Sequence, residues 1–339
     1  AMETRDVAAL STAQIAALGT EQVNLGLTAN QVSQGLSTSQ IAALTTAGIA
    51  ALSTAQVDAL SSAQLANGLT TTQVGALTTD GISTLGSFIY NSLDKKQTFL
   101  GTAQIAALTT EQVSLGLSTD QVVALTTAQV AALTQAQVVQ GLTTAQVRAM
   151  ETQDIAALTT GNLSALTTEQ VNLGLSTDQL VALTTAQAAG LTTAQLSQGL
   201  STVQIAALES RDVAALTPTQ VAQGLSTAQI AALGTTQVAA LSTGALAALS
   251  TTQINQGLNT AQVVSLTTDQ AAALTITQAS QGLSTAQVRA METQDLAALS
   301  TANLRNLSSV QVTSLLSVQI VALTTDQVLG LSTTNIAAL

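Results

Sequence analysis

The sequence predicts an all-α solenoid of very short capped helices, and three observations predict it. A leucine returns every eight or nine residues, from Leu10, Leu18, Leu27 and Leu36 through Leu44, Leu52, Leu60, Leu69, Leu77 and Leu85, and again from Leu100 to Leu339. After most of these leucines comes a Ser/Thr-x-x-Gln stretch such as "STAQ" at 11–14. That is the spacing of a capping box, in which hydroxyl and amide satisfy each other's free backbone N–H groups. The acids gather at the same points. Every Asp and Glu except Asp58 and Asp94 falls in the first turn of a unit or its cap, where negative charge complements the positive end of a helix by about 0.3–1 kcal/mol.

The eight-residue unit reads L-[ST]-T-x-Q-[VI]-x-A. In a helix its Val or Ile, the Ala before the next Leu and that Leu share one face. This reading expects Gln, Thr and Ser outside the core, whereas a strand would bury one Gln per unit. Pro218, the only proline, follows Thr217 and so sits at the first helical position, where its missing N–H costs nothing. The nine-residue unit places Gly before the next Leu, as in "QGL" at 34–36, 140–142 and 223–225. That Gly is expected as a left-handed C-terminal cap. Helices this short fall well below the roughly 12–15 residues that stand alone in water, so they are expected only as parts of a cooperative stack. The alternative is a right-handed β-helix, which Thr, Val and Ile favour and Ala-Ala-Leu and Gln disfavour.

A longer period lies above the unit. The Gly-Leu steps at Leu142, Leu175, Leu200, Leu225, Leu258 and Leu283 are 33, 25, 25, 33 and 25 residues apart. They predict coils of three or four units, the extra unit being one in which Gln is replaced, at Gly48, Asn162 or Ala245. Residues 1–339 read as one repeat array. Stacked at a helix-packing rise of about 8–10 Å, about 12 coils would make a rod of about 100–120 Å. The opening "AMETRDVAAL" recurs as "AMETQDIAAL" at 149–158 and "AMETQDLAAL" at 290–299. Met2 therefore reads as a repeat residue, and the array as a piece of a longer protein.

One stretch, "LGSFIYNSLDKKQTFLG" at 85–101, breaks the pattern. It holds every aromatic residue (Phe88, Tyr90, Phe99) and the only lysines (Lys95, Lys96). The insertion at 86–99 reads as a structural wedge, or as a contact site with Phe88, Tyr90, Lys95, Lys96 and Phe99 as its anchors.

Composition excludes more than it selects. The chain is 46% hydrophobic and 7% charged, too apolar for a disordered tract. No run approaches the about 18 apolar residues of a membrane span. A net charge of −11 with seven scattered Lys and Arg offers no phosphate-tracking surface, which argues against a nucleic-acid partner. With no His and no Cys there is no ordinary base, nucleophile or soft metal ligand, so neither an enzyme nor a cofactor or metal site is expected. The "TTDQ" rows at 267–270 and 324–327 lack the Gly-Asp-rich spacing of calcium arrays. Arg148 and Arg289 are expected to pair with Glu151 and Glu292.

Two resemblances add to this reading. "LTPTQVAQG" at 216–224 resembles the opening of a TAL-effector repeat. The match ends there, without the second helix or the base-reading loop, and implies only a shared way of starting a helix. The array as a whole, with strings such as "LTTAQVAAL" at 125–133, resembles repeat tracts of very large bacterial surface and secreted proteins of adhesin or haem-utilisation type. The resemblance implies a non-enzymatic region at the cell surface or outside the cell, serving as a rod-like spacer, stalk, surface layer or biofilm matrix element. Its partners would be neighbouring repeats, other copies of the chain, or cell-surface glycans. The alternative is an adhesive module for glycan, self-association or ice. For haem, only Tyr90 would be available as a ligand.

Overall fold

The structure, a computed structural model, describes residues 2–85 and 100–339. The candidate anchors Phe88, Tyr90, Lys95, Lys96 and Phe99 lie outside the described residues. The chain forms two compact units, Ala1–Leu166 and Thr167–Leu339.

Both units are built in the same way, from helical turns of four to six residues and, among the described residues, no β-strand. The helical reading therefore holds and the β-helix does not. Thr227–Ala232 shows why each turn forms and where it stops. Ser226 is extended and its hydroxyl accepts from Gln229 N, while the Gln229 side chain returns to Ser226 N. Six helical residues separate this cap from Leu233, which turns extended with its N–H still bonded to Ile230 O. Pro218 is the first helical residue after its Thr217 cap, as its missing donor requires.

Within each compact unit a helix stacks on the third one along the chain. Ser210–Ala215 lies against Thr185–Gly190 on one side and Thr235–Ala240 on the other. These helices start 25 residues apart, so a coil holds three units. Three units also make the coil inside the 33-residue interval between Leu225 and Leu258. There Thr260–Val264 stacks on Thr235–Ala240, and Thr268–Ala272 on Thr243–Ala247. The extra unit moves the glycine-bearing turns to another face rather than widening the coil. Gln170–Gly174, Gln195–Gly199 and Gln220–Gly224 form one column, Thr243–Ala247 continues it, and Gln253–Gly257 sits instead on Thr227–Ala232.

The ninth residue is absorbed as a π-turn. In the nine-residue unit Leu200 N bonds to Gln195 O, five residues back, where Leu233 N of an eight-residue unit bonds three residues back. The glycine that closes this turn is not the left-handed cap that the sequence suggests, since no described glycine has a positive φ. It is required by closeness to the coil below. A Cβ on Gly141 would lie 3.0 Å from Val113 Cβ, and one on Gly224 would lie 3.0 Å from Leu196 Cβ.

The core is aliphatic and thin. Ile230, Leu233, Val238, Leu241, Leu246 and Leu249 are all buried, two per unit. Burying such a side chain contributes about 1.5–3 kcal/mol, which suffices only because a helix inside the stack is packed on both sides. The stack also keeps its register across residues 86–99. Thr102–Ala107 packs on Thr71–Val74, and Gln104 Nε2 donates to Leu65 O (2.8 Å) and Leu69 O (2.7 Å).

Candidate functional site

The glutamine is where the structure departs most from the sequence expectation. It is buried, not outside the core: Gln229 is 3% exposed, and Gln56, Gln137, Gln146, Gln262 and Gln287 are buried likewise. The reason is hydrogen bonding across coils. Gln229 Oε1 accepts from Ser226 N (2.8 Å), and Gln229 Nε2 donates to Leu196 O (2.6 Å) and Leu200 O (2.7 Å) of the coil below. Gln146 repeats this on Val113 O and Leu117 O (both 2.7 Å), and Gln287 on Ile254 O (2.7 Å) and Leu258 O (2.6 Å).

A helix leaves its first N–H groups and last C=O groups without internal partners. One carboxamide supplies an acceptor to the start of its own helix and two donors to the end of the helix beneath. Leaving either kind of group buried and unpaired costs about 1–3 kcal/mol. No aliphatic side chain of the same size could make these bonds. The signal in the sequence was the glutamine's period, which equals that of the core Val and Leu.

Replacements at this position fall into three kinds. Asn162, Asn303 and Asn335 keep a shorter donor, with Nδ2 2.7, 2.8 and 3.0 Å from Leu133 O, Leu274 O and Leu304 O. Gly48, Gly81 and Ala245 bring no side-chain donor. Asp154, Asp212 and Asp295 put a buried carboxyl there. Burial pushes the Asp295 carboxyl up to about 6, with the Glu292 carboxylate adding to the rise. Burial also raises Asp212, against the opposing pull of Arg211 and with a further push from Glu209.

The remaining acids behave as the sequence suggests. Asp120, Asp178, Asp269 and Asp326 stand exposed in first turns. The arginine pairs differ in part. Arg211 Nε lies 2.6 Å from Glu209 and Arg5 Nε 2.8 Å from Glu3, exposed contacts worth under about 1 kcal/mol. Glu292 accepts from Gln294 Nε2 (2.7 Å), and among the described residues no ion pair joins it to Arg289.

A surface hollow of about 740 Å³ is bordered by Leu208, Glu209, Arg211, Gly234 and Gln237, and its two charged groups already pair with each other. Among the described residues no group of three acids could hold a metal ion. No described helix is long and apolar enough to cross a membrane.

Three stacked helical units per coil, tied by side-chain amides, define an α-solenoid repeat protein. Comparison with family models gives the particular kind: the ALTTAQ repeat matches residues 1–37, 34–67, 139–168, 147–185, 205–243, 223–251 and 288–325, and the chain belongs to this repeat family. The string itself stands at 124–129 and 182–187, and it ends on the buried glutamines Gln129 and Gln187. A search of curated proteins finds no match to the chain.

Proposed function

We propose that this chain is a non-enzymatic structural region of a bacterial cell-surface or secreted protein, working as a spacer, stalk or matrix element. The observation that carries this reading is the use of the polar side chains. In the coils the glutamine amide and the capping hydroxyl serve the helix starts and the neighbouring coil, which commits them to structure and makes one coil the template for the next.

The first and last described coils agree with this. Gln14 and Gln22 are exposed, and among the described residues their Nε2 groups meet no carbonyl. At the other end the Leu323 and Leu331 carbonyls receive no side-chain amide, and Val321 and Leu329 are 85% and 79% exposed. Donors at one face and acceptors with apolar side chains at the other suit end-to-end stacking on another copy of the repeat.

The experiment is a height measurement. With the array placed between a cell-surface anchor and a terminal reporter, deletion of successive 25-residue coils should lower the reporter in equal steps. A reporter height indifferent to coil number would overturn the spacer reading.

A further inference from the structure

Two of the buried carboxyls point to a use of the array that its glutamines do not have. Asp212 and Asp295 are 0% and 1% exposed. Neither carboxyl oxygen of either residue has a hydrogen-bond partner. The register of the stack says what they face. At this position Gln204, Gln220, Gln229 and Gln287 each donate to the leucine carbonyl 29 residues earlier, Leu175, Leu191, Leu200 and Leu258. Asn162 and Asn303 reach their carbonyls at the same separation, with a side chain no longer than aspartate's. The same register sets Asp212 against the carbonyl of Leu183 and Asp295 against that of Leu266. No side-chain donor reaches either carbonyl among the described residues. Two acceptors meet at each place with no proton between them, an arrangement a buried site does not tolerate without a donor.

We propose that Asp212 and Asp295 are proton-binding sites: each folds into the stack as the neutral acid and donates its hydroxyl to the leucine carbonyl one coil back, so that acidification tightens the array.

Little in the surroundings favours the charged form. The helices packed on Ser210–Ala215, Thr185–Gly190 and Thr235–Ala240, carry no ionisable residue. On its own helix and cap Asp212 has Arg211, whose Nε is 3.8 Å from Oδ1 but 2.6 Å from Glu209, and Glu209 itself. Around Asp295, the packed helix Thr268–Ala272 brings only the exposed Asp269, and Ser317–Val321 brings none. Glu292 caps the helix of Asp295, and the flanking helices along the chain carry Arg289 and Arg305. The upward push that burial gives both carboxyls has the same direction as the geometry.

A group whose folded pKa lies above its unfolded value of about 3.9 stabilises most below that value and loses its contribution as pH rises through the folded value. For Asp295 that loss centres on about 6. The test compares melting of the full chain with the double variant Asp212→Asn, Asp295→Asn, whose side chains donate at every pH and already occur at this position. Between about pH 7 and about pH 4.5 the wild-type midpoint should gain a few degrees on the variant, since exposed acids shift both alike. A carbon-13 NMR titration of the wild type should show these two carboxyls taking up protons above the other aspartates. Parallel melting profiles, or ionised Asp212 and Asp295 down to about pH 4, would overturn the proposal. So would stabilisation by millimolar calcium chloride at neutral pH that the double variant lacks, for the carboxylate would then be holding a cation.

Discussion

Helices Ser210–Ala215 and Thr227–Ala232 bury the same kind of apolar pair, Val213 with Leu216 and Ile230 with Leu233, yet their polar positions are opposite. In Thr227–Ala232 the amide of Gln229 joins three backbone groups of two coils. In Ser210–Ala215 the carboxyl of Asp212 joins none. The comparison separates two jobs that the sequence blends. Apolar burial draws coils together without direction, and the carboxamide sets the register in which they meet.

The comparison breaks most sharply when the amide is removed from the better unit. Gln229→Leu keeps size and apolar contact but leaves the buried Leu196 and Leu200 carbonyls, and the Ser226 N–H, without their side-chain partner. The expected loss is about 3 kcal/mol or more, read from a urea melt. A loss below about 1 kcal/mol would mean that apolar packing alone fixes the register. The smaller effect runs the other way. Ala245 lies in Thr243–Ala247, which stacks on the π-turn Gln220–Gly224, as the helix of Asn162 stacks on Gln137–Gly141. By that register the Leu216 carbonyl awaits a donor, so Ala245→Asn should stabilise by about 0.5–1.5 kcal/mol in the same melt. No gain would show that the site excludes the longer side chain.

Much of this was legible in the sequence because it is local. The Ser/Thr-x-x-Gln boxes, Pro218 at a helix start and the exposed acids such as Asp120 and Asp178 are set by residues three or four apart. What failed to show was non-local. Gln229 reads as a surface residue on its own helix, and only the coil 29 residues earlier makes burial favourable. Gly224 has the same neighbours in sequence as a left-handed cap, and only the Leu196 side chain beneath it shows that space is the requirement. The 33-residue interval looks like a wider coil until Gln253–Gly257 is seen on a different column from Gln220–Gly224.

The central claim, that glutamine amides stitch coil to coil, is tested most directly by hydrogen exchange of the side-chain carboxamide protons in NMR. The Nε2 protons of Gln229, Gln262 and Gln287 should exchange as slowly as backbone amides of the core, while those of the exposed Gln14 and Gln22 exchange freely. Equal, rapid exchange at all five would contradict the account.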